Sequence, residues 1–127
     1  MGEHRVFRKG GLSYVRIPAS DPPRAAAFYR DVFGWNIRGD AAEPSFDDGT
    51  GHVIGHFVAD QDVGGEAGVR PYVYVENLDE TLETARASGG EIVTAPYPEG
   101  DLWVATIRDV AGNVVGVWQS GPRARDG

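Results

Sequence analysis

The stretch Tyr14-Val15-Arg16-Ile17-Pro18-Ala19-Ser20-Asp21 runs into a helical pattern, and so does Tyr72-Val73-Tyr74-Val75-Glu76-Asn77-Leu78-Asp79. Tyr14 and Tyr72 are 58 apart (72 − 14), as are Asp21 and Asp79 (79 − 21). A second echo closes each half. Gly51-His52-Val53-Ile54-Gly55-His56-Phe57 matches Gly112-Asn113-Val114-Val115-Gly116-Val117-Trp118 at an offset of 61 (112 − 51). An internal repeat constrains architecture before any single residue does. Residues 1–127 are therefore expected to form a single domain of two modules, one at about 12–58 and the other at about 70–119. The polar, Gly-rich stretch ADQDVGGEAGV at 59–69 links them.

Both modules carry the same order of elements. Leu12 to Ile17 alternates as a strand, with Val15 and Ile17 on one face and Tyr14 and Arg16 on the other. Asp21 is a natural N-cap, with Pro22 at the first helical position. Ala25, Phe28, Tyr29, Val32 and Phe33 make the apolar stripe of a helix that Gly34 stops. Strands follow at 35–38, 44–48 and 52–58. In the second module Arg70 to Glu76 is a strand. Asn77 caps a helix striped by Leu78, Leu82 and Ala85, which Gly89-Gly90 ends. Strands are expected at 91–94, 102–108 and 114–119, with Pro96 to Gly100 as a loop. The order is βαβββ twice. The tail GPRARDG and the N-terminal His4 are read as flexible.

Composition narrows the function. The net charge of −7 argues against nucleic acid, which needs a basic face, and mildly favours cationic ligands. No apolar run approaches a membrane span, and the opening MGEHRVFRKGG lacks the apolar core of a secretory leader, so no membrane and a cytoplasmic location are expected. There is no cysteine, which excludes disulfides and thiolate chemistry. Lys9 is the only lysine, a bias that fits a GC-rich bacterial genome.

Ile17 to Pro22, with Arg24-Ala25-Ala26-Ala27-Phe28-Tyr29-Arg30-Asp31-Val32-Phe33-Gly34-Trp35, resembles the opening of the vicinal-oxygen-chelate superfamily. That group holds glyoxalases, bleomycin-resistance proteins and extradiol dioxygenases. Val75 to Asp79, Gly89-Gly90 and the turn Asp109 to Asn113 extend the resemblance over residues 12–119. It implies an α+β fold, two βαβββ modules forming an open barrel-like sheet with a central cup, and a homodimer. It also implies metal-ligand slots, which carry over to Tyr14, Gly55, Tyr72 and Gly116. None is a His or a carboxylate. A neutral phenol is a poor ligand for a divalent ion and glycine offers no side chain, so no metal and no other cofactor is expected.

Other motifs are silent. His52 and His56 are spaced i, i+4, but on a strand that spacing spans about 13 Å, so the two cannot share an ion. His52 is read as a turn residue and His56 as a sheet-face residue. No P-loop and no GxSxG occurs. Alternation from the slots gives the cup Tyr14, Arg16, Gly55, Phe57, Tyr72, Tyr74, Gly116 and Trp118. The face of Trp103 is ambiguous. Aromatic walls around two glycines suit a small, partly aromatic or apolar molecule, with Arg16 available to a ligand carboxylate. The competing reading is that the aromatics simply fill the barrel. On the cup reading, Gly55→Trp is expected to abolish binding without unfolding. Two functions follow. One is a metal-free binding protein of the bleomycin-resistance type. The other is an enzyme of the same superfamily (lyase, isomerase or dioxygenase type), metal-independent with Tyr14 or Tyr72 as an acid, or using atypical metal ligands.

Overall fold

Asp21 starts the first helix because its carboxylate stands in for a missing helical acceptor. It accepts a hydrogen bond from the Arg24 N–H at 3.3 Å, while Pro22 and Pro23 supply the fixed φ of the first turn. Helix α1 runs Pro22–Phe33 and ends at Gly34, whose φ of 73° only glycine adopts freely. The structure, a computed structural model, describes residues 5–123; His4 and the last four residues of the GPRARDG tail lie outside the described residues.

The chain forms two compact units, divided between Asp62 and Val63. In the first, β1 (Tyr14–Pro18), β2 (Asn36–Arg38), β3 (Ser45–Asp47) and β4 (Ile54–Val58) accompany α1, in the sheet order β1-β4-β3-β2. In the second, β5 (Tyr72–Tyr74), β6 (Glu91–Glu99), β7 (Leu102–Arg108) and β8 (Val114–Ser120) accompany α2 (Leu78–Ala87), in the order β5-β8-β7-β6. The first strand of each unit pairs parallel to the last, and the other pairs are antiparallel. This is the doubled βαβββ order, an α+β fold. The strands hydrogen-bond as two four-stranded sheets, and neither closes into a barrel.

Each unit buries its helix against one face of its sheet. In the first, Phe28, Tyr29, Phe46 and Phe57 are fully buried. Trp35 stacks between Tyr29 and Phe46, with ring centroids 4.8 and 4.7 Å away. Burial of each such ring is worth about 1.5–3 kcal/mol, so this aromatic cluster dominates the unit's stability. In the second, Leu78, Leu82 and Ala85 of α2 are buried, as are Ala105, Ile107, Val115 and Val117 of the sheet. Gln119 ties the two layers, since its Oε1 accepts the buried Leu78 N–H at 2.7 Å. Trp103 pairs with Gln119 in the ladder and lies under the Arg123 guanidinium, 4.9 Å from the ring centroid, while Arg123 also holds the buried Asp79 at 2.9 Å. Trp103 therefore belongs to the helix side of its sheet.

Two departures from the sequence reading matter for function. First, β6 runs nine residues, through the segment Pro96 to Glu99 expected as a loop. It is an edge strand, so prolines without an N–H cost no ladder bond on the outer side, and register shifts between Ile92 and Tyr97 absorb the irregularity. Second, the two closing hairpins differ in length. Asp48 N–H donates to the Val53 carbonyl and Asp109 N–H to the Asn113 carbonyl, so the spans are 5 (53 − 48) and 4 (113 − 109). The first turn holds one residue more. In a strand with a side-chain period of two, that single residue reverses which face every later side chain takes.

Candidate functional site

The extra turn residue decides the face of β4. Its register against β1 pairs Val15 with Gly55 and Ile17 with Phe57, whereas Arg16 pairs with His56. Phe57 lies 5.5 Å from the Tyr29 ring of α1, and Phe46, opposite Gly55, is fully buried. Gly55 and Phe57 thus stand on the helix face, and the expectation that they share a face with Tyr14 is corrected. A Cβ on Gly55 would overlap the Val15 carbonyl oxygen and come within 2.6 Å of the Phe46 ring. Gly55 is a close-approach position within the core and opens no space for a ligand.

Tyr14, Arg16, Ser45, Asp47 and His56 share the opposite, outer face of this sheet. The Tyr14 hydroxyl and His56 Nδ1 are 2.7 Å apart, and Ser45 Oγ and His56 Nε2 are 2.9 Å apart. A neutral imidazole donates from one nitrogen and accepts at the other, so the three groups form a directional chain whose end, Tyr14, is 45% exposed. Sequence reasoning placed His56 on a sheet face but missed these partners, because they depend on the shifted register. Arg16 is engaged, donating to Gln61 Oε1 at 2.9 Å and to Asp60 Oδ1 at 3.4 Å. Arg38 hydrogen-bonds Asp47 at 2.7 Å, and this holds the Asp47 carboxyl below its usual range. The contribution of that pair is present above the ordinary carboxylate pKa of about 4 and is lost as pH falls through the depressed folded value.

The second unit keeps the expected faces. Tyr72 pairs with Gly116 and Tyr74 with Trp118, and the same face carries Val104 opposite Trp118, Tyr97 opposite Val104 and Glu99 opposite Leu102. Tyr72 and Tyr74 are 47% and 52% exposed, and Tyr74 meets Trp118 edge-on at 4.9 Å. Tyr72, Tyr97, Glu99, Leu102, Val104 and Trp118 line an open hollow of about 280 Å³. Gly116 does not add to that volume. A Cβ there would overlap the Tyr72 ring, so the ring occupies the room the glycine leaves. Thr106, opposite Gly116, buries its hydroxyl with no hydrogen-bond partner among the described residues. The expected cup lacks Tyr97 and Glu99 because they fall in the proline segment read as a loop, where Glu99 passes for a solvated turn carboxylate.

These residues do not suit a metal ion. The inherited slots hold tyrosine and glycine. The one imidazole the register brings to the outer face has both ring nitrogens in hydrogen bonds. His52, in its turn, hydrogen-bonds the Arg5 carbonyl through Nδ1 at 3.0 Å. Among the described residues no three of His, Cys, Asp and Glu gather as a metal site requires. Among them, too, no helix is long and apolar enough to cross a membrane.

The fold has many counterparts. A glyoxalase/bleomycin resistance protein/dioxygenase family enzyme from Burkholderia phytofirmans PsJN superimposes with a TM-score of 0.73 at 23% identity, covering 87% of this chain and 99% of that one, a likeness of fold. CFP32 of Mycobacterium bovis is 25% identical over 130 residues, 94% of this chain and 49% of that protein. A glyoxylase-like domain-containing protein of Didymella fabae is 32% identical over 90 residues, 65% of this chain and 70% of that protein. The chain spans about half the length of its mycobacterial relatives. The family model matches residues 11–117, and with the doubled βαβββ topology this makes the chain a member of the glyoxalase/bleomycin resistance protein/dioxygenase superfamily.

Proposed function

We propose that this protein binds a small, flat, partly apolar molecule on the outer face of the β5–β8 sheet, without a metal ion, and acts by holding it. One observation carries the reading: Tyr72 and Tyr74 leave about half their surface in water beside Trp118, and Tyr72 and Trp118 line an open hollow with Tyr97, Glu99, Leu102 and Val104. Exposed aromatic surface grouped on one sheet face, with few polar groups among it, is the composition of a small-molecule site. The donor set argues for binding without a metal. Calorimetry with quinoline, before and after exhaustive chelation, tests this. Equal affinity in both preparations is expected, together with a shift of the Trp118 indole N–H resonance. A stoichiometric ion whose removal abolishes binding would overturn the reading. A homodimer remains part of the proposal on the strength of the superfamily, and a cytoplasmic location on the absence of cysteine.

A second reading, an enzyme of the same superfamily working without metal, is favoured by the Tyr14–His56–Ser45 chain. There Tyr14 is the acid that gives its proton to the substrate, and the His56 N–H steadies the resulting phenolate until it takes a proton back. Mass spectrometry of a bound ligand after incubation checks it. The reading expects a chemical change that Tyr14→Phe and His56→Gln both suppress by about a hundredfold, the usual scale of acid–base assistance. Recovery of unaltered ligand sets the enzyme reading aside.

A further inference from the structure

We infer that the hollow on the second unit selects an organic cation, an aromatic amine in its alkylated or protonated form, with Glu99 and the faces of Tyr72, Tyr97 and Trp118 holding the charge. The inference rests on the binding reading above and adds the ligand's charge to it. Of the six residues lining the hollow, three are aromatic, two are aliphatic and one is a carboxylate; none is basic. Ring faces carry negative potential and attract cations. The sheet already uses that attraction on its other side, where Arg123 sits over Trp103.

The carboxylate sharpens the argument. Three acidic side chains of this unit hold arginines. Glu66 and Glu91 flank Arg108 at 3.5 and 3.3 Å, and Asp79 holds Arg123 at 2.9 Å. The Glu99 carboxylate has no ion pair or hydrogen bond among the described residues, and it stands at the end of β6 where that strand borders the hollow. An acid at the lip of an aromatic hollow with no arginine to neutralise it is open to a cationic ligand. It repels an anionic one, and the net charge of −7 extends the same preference over longer range.

The probes are N-methylquinolinium and quinoline, compared at a pH where quinoline is uncharged. They share size and flatness and differ in charge. The cation is expected to bind about tenfold tighter, combining ring attraction with a screened, exposed carboxylate. Glu99→Gln, a change of equal size, should cut that preference to about threefold. Raising salt to about 0.5 M should weaken the cation alone. If the two probes bind equally, the charge inference fails and the binding reading stands. If neither binds, both fail. If the preference survives Glu99→Gln in full, the role assigned to Glu99 is wrong.

Discussion

Gly55→Ala is expected to destabilise the first unit by about 3 kcal/mol or more, the upper range of overpacking, with a fall in Tm of roughly 10 °C. The cause is where the added methyl would go. It points into the Val15 carbonyl of the parallel neighbour and against the rim of the Phe46 ring. Neither can yield. The carbonyl is part of the β1–β4 ladder, and Phe46 is fully buried beneath the stack it makes with Trp35. Relief requires the two strands to part or the aromatic cluster to repack, and a close-packed core does neither cheaply. Gly55→Trp, which the sequence suggested as a harmless plug, is expected to prevent folding of the unit. Gly116→Ala is the control. The atoms its methyl meets belong to Tyr72, a half-exposed side chain that can rotate outward, so its Tm should change far less. Thermal melts of both variants followed by near-UV circular dichroism measure the difference. A Gly55→Ala protein that melts with the parent would mean the β4 face has been assigned wrongly.

That contrast explains what was legible in the sequence and what was not. The repeat, the caps at Asp21 and Asn77 and the stop at Gly34 are local signals, and each corresponds to an observed element. The faces of β5 and β8 were legible too, since Tyr72 opposite Gly116 follows from alternation once the strands are paired. The face of β4 was not. The offset of 61 holds through the turn glycines, Gly51 and Gly112, and fails just after them, because Val53 rather than His52 closes the first hairpin. A hydrogen bond decides that, and no residue type announces it. The same error hid the Tyr14–His56–Ser45 chain, which exists only in the shifted register. Tyr97 and Glu99 were hidden for another reason. Two prolines within three residues argue for a loop unless the strand is known to be an edge, and edge position is a property of the whole sheet.

Trp118→Ala is expected to weaken binding of a flat aromatic ligand by about thirtyfold, close to 2 kcal/mol, the cost of removing a central aromatic anchor. Trp118 lies on β8, an inner strand, with β5 on one side and β7 on the other. It touches Tyr74 edge-on and faces Val104 across the ladder. The floor of the hollow is therefore largely its indole, whereas Tyr72 and Tyr97 rise from β5 and β6 as walls. A wall can be replaced by water at modest loss, but a ligand without its floor loses a stacking surface and gains a wet one. The fold should survive, because the helix-side core of the unit is built from Leu78, Ile107 and Val117 on the other face. Trp103→Phe supplies the comparison. It removes an indole from the same unit but from the helix side, so affinity should be unchanged even if stability falls. Calorimetry with N-methylquinolinium on the two variants separates loss of a binding surface from loss of structure. Equal affinity in Trp118→Ala and the parent would move the ligand off this face, and the proposals for its class and for Glu99 would go with it.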